Sequence, residues 1–288
     1  MASETPSPAP ARPPIPDSAG EPRLQRATIA PWRVAALHAA LGRDGPPPAE
    51  GEPLPPMWHS PFFPDLAGPA ELGKDGDPRP GGFLPDTGLP RRMRAGGRLE
   101  AFAPIPVGAE VERVSVLQNV AIKQGGSGTL AIITVRHELF LGETLALREE
   151  EDLVHRPAWT PGDPPRGEAP RKDERPAFRR EIATDPVLLF RYSALAFNGH
   201  RIHYDHPYAT KIEGFPERVV QGPMMAQILA DLLRDETGRR PRTFEYRAVS
   251  PAFCGQVLTA CGRTLGAKAD LWLLDPEGRL VMEARVLA

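Results

Sequence analysis

The segment 222–238, GPMMAQILADLLRDETG, restricts the fold of this chain more than any other. Met225, Ile228, Leu229, Leu232 and Leu233 recur at helical spacing and make one continuous apolar face. Gly222 stands at a cap, Pro223 at the first helical position, where its missing N–H costs nothing, and Gly238 is a stop. About 15 residues at 1.5 Å each give a rod of roughly 22 Å, and Ala226 and Ala230 would let a sheet come close. Strand-like runs follow at 243–249, 256–264 and 269–274, and the turn Asp275-Pro276-Glu277-Gly278 leads into a last one at 279–286. One long helix followed by antiparallel strands predicts an α+β fold, with the helix packed on a single sheet face.

The first half has a different texture. Seven prolines in the first 22 residues make 1–22 a disordered or polyproline-like tail. Residues 24–41 have helical spacing at Trp32, Ala35, Ala36 and Ala39, with a break or kink near Pro31. The stretch 42–97 is irregular and rich in Pro and Gly, a length without periodicity that suits a segment wrapping a surface or shaping a pocket mouth. Strands are predicted at 111–122, 129–140 and 144–148 as an antiparallel meander. Residues 156–176 hold six prolines among charged side chains, the composition of a linker, with a boundary near residue 165. The predicted units are 23–155, a linker over 156–180, and 181–288. In the second unit, 185–197 forms a helix with Val187, Leu188, Phe190, Arg191 and Leu195 on one face.

Charge excludes some partners. The 35 basic and 37 acidic side chains nearly cancel, so no general attraction to nucleic acid or an anionic membrane is expected. No apolar run reaches the roughly 20 residues of a membrane span. With no signal-like apolar region or twin arginine at the start, a soluble cytoplasmic protein is expected. Cys254 and Cys261 lack metal-ligand spacing and are expected to be reduced core thiols.

The chemistry concentrates in residues 198–209, NGHRIHYDHPYA, between two helices. Asn198, His200, His203, Tyr204, Asp205 and Tyr208 fall within 12 residues. HxxHxD spacing could bring His200, His203 and Asp205 to one metal, but the adopted expectation is no metal and no cofactor.

The run LLFRYSALAFNGHRIHYDHPYA, followed by VVQGPMMAQILADLL, resembles the MaoC-type hydratases, and more closely their mesaconyl-CoA and itaconyl-CoA hydratase branch. It is also similar to the mitochondrial 3-hydroxyacyl-thioester dehydratases. The likeness extends upstream through PLPPMWH, RPGGFLPDTGLPRRMRAGGRLE and VRHE to the DLVHR before the linker, and so covers most of the chain beyond the tail. It implies a double hot-dog fold, two antiparallel sheets each wrapped on a central helix, in which 23–155 is non-catalytic and 181–288 catalytic. It implies an acyl-CoA hydratase or dehydratase acting on an α,β-unsaturated thioester, with 3-hydroxyacyl-ACP/CoA dehydration or thioester hydrolysis as alternatives. A non-catalytic thioester-binding protein is a further alternative. The implied partner is acyl-CoA or acyl-ACP; a homodimer is compatible, although two halves could pair their sheets internally.

Laying the family's catalytic His on His203 puts Asn198 where the wider family has Asp and His200 where it has Asn, while Asp205 matches a later Asp. His203, with an ordinary pKa of about 6.5, would take the water proton and return one to Cα. Asn198 would orient the water through its carbonyl and amide. The N–H of Gly222 or Met224 at the helix start would receive the thioester oxygen, since Pro223 has none. His200 and Asp205 are expected in support, Asp205 by orienting an imidazole or pairing with Arg201. Tyr204 and Tyr208 are expected as wall or core residues. Arg191, Arg201 and Arg218 are candidates for the coenzyme A phosphates, and Arg91, Arg92 and Arg94 for a carboxylate at the acyl end.

Overall fold

The computed structural model describes residues 21–125, 128–163 and 167–288. The proline-rich tail expectation at 1–20 and the boundary expected near 165 lie outside the described residues. The architecture is α+β, a double hot-dog. Among the described residues ten strands form one continuous antiparallel sheet, so the two sheets expected from the sequence are joined edge to edge.

The first half contributes β1 (Arg23–Thr28), α1 (Pro31–Ala40), β2 (Arg91–Ala101), β3 (Glu110–Gly125), β4 (Gly128–Leu141) and β5 (Thr144–Arg156). The second contributes β6 (Phe178–Ala183), α2 (Pro186–Ala196), α3 (His206–Lys211), α4 (Gly222–Thr237), β7 (Thr243–Ala248), β8 (Val257–Leu265), β9 (Lys268–Leu274) and β10 (Leu280–Leu287). The strand order is β1-β3-β4-β5-β2-β7-β10-β9-β8-β6, and the halves meet where β2 pairs with β7, from Gly96 opposite Arg247 to Glu100 opposite Thr243. Gly96 and Gly97 permit this: a Cβ on Gly96 would lie 2.5 Å from the Tyr246 carbonyl oxygen, and one on Gly97 would lie 2.9 Å from the Tyr246 ring.

Helix α4 packs against β2, β6, β8, β9 and β10. Its N-cap is Gln221, one residue earlier than the sequence suggested, and it stops at left-handed Gly238. Every residue from Met224 to Leu233 is buried, including Gln227 and Asp231. The sheet covers one side of the helix and the irregular 42–90 segment covers another. There the Gln227 amide donates to the Met57 carbonyl at 2.8 Å, and the Trp58 indole N–H lies 3.2 Å from both Asp231 oxygens. These bonds let the two polar side chains be buried.

Three other local expectations are corrected. Residues 23–28 are not helix but strand, with alternating burial and pairing to β3; the apolar residues of RLQRAT do not mark it, Leu24 being exposed, and the hydrogen bonds to β3 decide the form. In α1 the buried side is Val34, Leu37 and Ala40, and Trp32 is exposed. In α2 the buried residues are Leu189, Tyr192 and Ser193, whereas Val187 and Phe190 are exposed.

Strand β5 continues to Arg156, eight residues past the expected end. Its charged text, REEED, concealed it. Glu149 and Glu151 are buried because partners meet them: His59 Nε2 lies 2.8 Å from Glu149, and Arg94 pairs with Glu151. Cys254 and Cys261 are free and buried, in separate apolar clusters. No helix among the described residues is long and apolar enough to cross a membrane.

Candidate active site

A cavity of about 1020 Å³ opens where the 198–209 segment, the start of α4, strand β2 and the loop around Asp77 converge. That volume is at the upper end for ligand sites. Asn198, Gly199, His200, His203, Gly222 and Pro223 line it.

The segment is shaped from α2 outward. Asp185 caps α2 by accepting the Leu188 N–H at 2.7 Å. At the other end Phe197 takes a left-handed conformation, φ 51°, and Asn198 N–H donates back to the Ser193 carbonyl at 2.8 Å. The chain then turns on the Asn198 side chain, whose Oδ1 accepts the His200 N–H at 2.9 Å. This bond uses part of the acceptor capacity expected to hold a water, while the amide N–H groups keep their donor capacity. A one-turn 3-10 helix, Arg201–His203, carries the imidazole into the site.

His203 Nδ1 sits 2.7 Å from the carbonyl oxygen of Val219. A carbonyl only accepts, so Nδ1 carries the hydrogen and Nε2 keeps its lone pair. Burial, reinforced by neighbouring His200, lowers the His203 pKa to about 3. Burial likewise lowers His200 to about 4. The expectation of two forms accessible near neutrality is thereby corrected: at neutral pH His203 is a neutral base. The two rings stand edge to face at 5.5 Å between centroids.

At the helix start, Gly222 lines the cavity and the Gln221 side chain leaves the first turn uncapped. Gln221 instead donates to the Leu189 carbonyl and Ser193 Oγ, each at 2.9 Å. The N–H groups of the first turn have no partner within the helix, which leaves Gly222 N–H available beside the cavity. Met224 is fully buried, and its side chain is not part of the wall.

Other expected residues are turned elsewhere. Asp205 caps α3, accepting Tyr208 N–H at 3.1 Å, and binds Arg201 through Oδ2 at 2.7 and 3.0 Å. It does not approach the imidazoles as a metal ligand or orienter. Arg201 also donates to the Lys74 carbonyl at 3.0 Å and stacks on Tyr208 at 4.3 Å. Arg218 pairs with adjacent Glu217 at 2.8 Å and lies outside the wall, and Arg191 is exposed on α2, also outside it. Tyr208 is buried, whereas Tyr204 is half exposed and lines the cavity.

Of the β2 arginines, Arg91 is bound to Glu213 at 2.6 Å and Arg92 to Asp75 at 2.5 Å. Arg94 pairs with Glu151 yet keeps 44% of its side chain accessible, against 13% and 14% for the other two. Around it the cavity wall is polar, with His137 Nδ1 and Ser115 Oγ 2.7 Å apart beside Glu149 and Glu151.

Sequence reasoning missed Asp77. Its loop lies far upstream, and nothing in GKDGDPR separates it from an ordinary turn. Asp75, Asp77 and His200 each offer an atom within 4.8 Å of one another. The Arg92 guanidinium already binds Asp75 Oδ2 through two nitrogens, so the cluster is an ion-paired one.

The sequence pattern of hydroxyacyl-thioester dehydratase type 2 matches residues 57–254, a span containing all of these groups. The chain is 40% identical to the mesaconyl-C(4)-CoA hydratase of Chloroflexus aurantiacus over 258 residues, 88% of this chain and 90% of that one. Among solved structures, HtdX of Mycobacterium tuberculosis superposes with a TM-score of 0.68 at 18% identity, covering 92% of this chain and 98% of that one. Another protein of that organism, described as a double hotdog fold, gives a TM-score of 0.56 at 13% identity, covering 93% and 95%. At such identities the structural likeness speaks for the fold alone.

Proposed function

The chain belongs to the hydroxyacyl-thioester dehydratase type 2 family, hydro-lyases of acyl thioesters, and on that premise we propose that its substrate is a short C4-dicarboxylic enoyl-CoA of the mesaconyl or itaconyl kind. Hydration would give citramalyl-CoA, and the same site would catalyse the reverse dehydration. The observation that carries the reading is the geometry of His203: a neutral buried imidazole, its Nδ1–H held by Val219, beside Asn198 and the open start of α4 in one cavity.

Nε2 of His203 takes a proton from a water as its oxygen bonds to Cβ. The Asn198 amide donates to that water and sets its direction, a kind of positioning that supplies several kcal/mol. Gly222 N–H, at the positive end of α4, receives the charge developing on the thioester oxygen. His200 packs edge-on to His203 and holds its ring plane. Of the cations named for the coenzyme A phosphates, Arg191 remains the exposed candidate, since Arg201 and Arg218 are engaged by acidic partners.

The choice of a dicarboxylic over a fatty acyl group rests on Arg94 and its surroundings. A long alkyl chain would cover the accessible part of the Arg94 guanidinium without offering it a hydrogen bond in return. A carboxylate offers acceptors to that guanidinium, while Ser115, His137, Glu149 and Glu151 are already paired within the protein. The test is hydration of mesaconyl-C4-CoA, itaconyl-CoA, crotonyl-CoA and a long-chain enoyl-CoA, followed by loss of the conjugated absorbance together with free thiol. Preference for the long chain, or release of thiol, would sink the proposal.

A further inference from the structure

Addition of water across a conjugated double bond moves two protons, one off the water and one onto Cα. His203 has only Nε2 with which to exchange a proton, because Nδ1–H is held by the Val219 carbonyl. A second group in the same cavity could take the other half of the work. Asn198 does not titrate, and Asp205 is bound to Arg201 and the α3 cap.

Asp77 meets the geometric requirement. It lines the cavity with Asn198 and His203, and its Oδ2 stands 3.9 Å from His200 Nδ1. Its loop is fastened to the catalytic segment by Arg201 N–H donating to the Asp75 carbonyl at 2.7 Å and by Arg201 Nη1 donating to Lys74. Two glycines allow the approach. A Cβ on Gly76, where φ is +88°, would overlap the Gly199 carbonyl oxygen, and one on Gly199 would lie 2.5 Å from the Gly76 carbonyl oxygen. Such mutual backbone contact leaves the loop little freedom to carry Asp77 away.

We propose that Asp77, delivered by this upstream loop, is the acid that protonates Cα while His203 deprotonates the attacking water. The assignment rests on the hydratase reading above and supplies its second titrating group. In hydration the water O–H proton passes to His203 Nε2, the O–Cβ bond forms, and the π electrons move toward Cα. The Asp77 carboxyl O–H then breaks as the Cα–H bond forms. The enzyme is left with an imidazolium and a carboxylate, and solvent exchange returns both to their starting forms. Every charge in the sequence is balanced without a co-reactant.

The surroundings favour a carboxyl able to hold that proton. Burial raises the Asp77 pKa, and neighbouring Asp75 adds to the rise, whereas Arg92 and Arg94 from β2 and His203 from the catalytic segment oppose it. His200 faces it as well, but as a neutral ring near pH 7. The net displacement is upward. Groups whose environments push their pKa values apart are the acid and base of a site: here His203 goes down and Asp77 up.

The test compares wild type, Asp77→Asn and Asp77→Glu as full chains, measuring kcat for mesaconyl-C4-CoA hydration against pH, with thermal unfolding to check the fold. The wild-type rate should fall as alkali removes the Asp77 proton. Asp77→Asn should lower kcat by about 100-fold or more, the range for a general acid, and its residual rate should lack that alkaline limb. Asp77→Glu should recover part of the rate and the limb. A smaller loss in a folded Asp77→Asn protein, or a limb that survives in it, overturns the assignment and leaves the hydratase reading standing. Absence of turnover by wild type on every enoyl-CoA overturns both.

Discussion

The Val219 carbonyl accepts the Nδ1–H of His203 at 2.7 Å, and this one bond sets which nitrogen of the imidazole faces the cavity with a lone pair. Val219 is itself fixed, its N–H donating to the Ile202 carbonyl at 2.9 Å. The 3-10 turn that carries His203 and the strand-like stretch before α4 therefore hold each other, and the imidazole is oriented before any ligand arrives.

His203→Gln should lower kcat for enoyl-CoA hydration by about 10²- to 10⁴-fold, the range for a general base, with a much smaller change in KM. Steady-state kinetics on a variant whose circular dichroism matches wild type checks this. A kcat within threefold of wild type would remove His203 from the mechanism.

Acid should destabilise the protein through the two histidines. Their folded pKa values, about 3 for His203 and about 4 for His200, lie below the unfolded value of about 6.5. The unfolded chain therefore binds more protons, so stability from these groups is full above about pH 6.5 and is lost as pH falls toward 4 and 3. The loss should be on the order of a few kcal/mol, and urea unfolding between pH 7 and pH 4 measures it. In a His200→Gln, His203→Gln double variant the slope over this window should flatten.

Gly76→Ala should cost activity more than its size suggests. The added methyl would meet the Gly199 carbonyl and sit at φ +88°, so the loop must move. Displacements of about 1 Å in a catalytic group can cost about 100-fold in rate. We expect kcat to fall at least tenfold and the unfolding midpoint to drop by several degrees. Gly82→Ala, where a Cβ meets nothing within 4 Å, is the control and should change neither.

Arg94→Met should shift specificity. Within the one variant, kcat/KM for mesaconyl-C4-CoA should fall about 100-fold relative to kcat/KM for crotonyl-CoA, which has no carboxylate to bind. Taking the ratio inside a single protein cancels any loss of folded material. An unchanged ratio would exclude Arg94 from acyl recognition.

Trp58→Phe should cost about 1–3 kcal/mol by removing the indole N–H donated to the buried carboxylate of Asp231. Differential scanning calorimetry is the measurement.

Local pattern carried much of the site into view. Asn198 and His203 are five positions apart in a segment whose turn is made by Asn198 itself, so their nearness follows from short-range geometry. Helix α4 was legible for a similar reason: period 3.6 in apolar residues and glycine at its end specify a helix wherever the chain folds. The strand β1 was not, because six residues of mixed polarity settle only when β3 supplies hydrogen bonds. The end of β5 was hidden by glutamates whose burial depends on His59 and Arg94 from other strands and loops.

What the sequence determined by itself, then, was the set of elements with strong internal periodicity and the cluster of polar groups within one turn of each other. Only the tertiary structure decided that Trp58 and Met57 would close the polar side of α4, that the His203 imidazole would be neutral, and that Asp77 would line the same cavity, 3.9 Å from His200. The reason is physical. Periodicity records which face of an element avoids water, and that information is local. The protonation state of a buried group depends on how much water is excluded and which charges face it, and both are contributed by residues that only folding brings near.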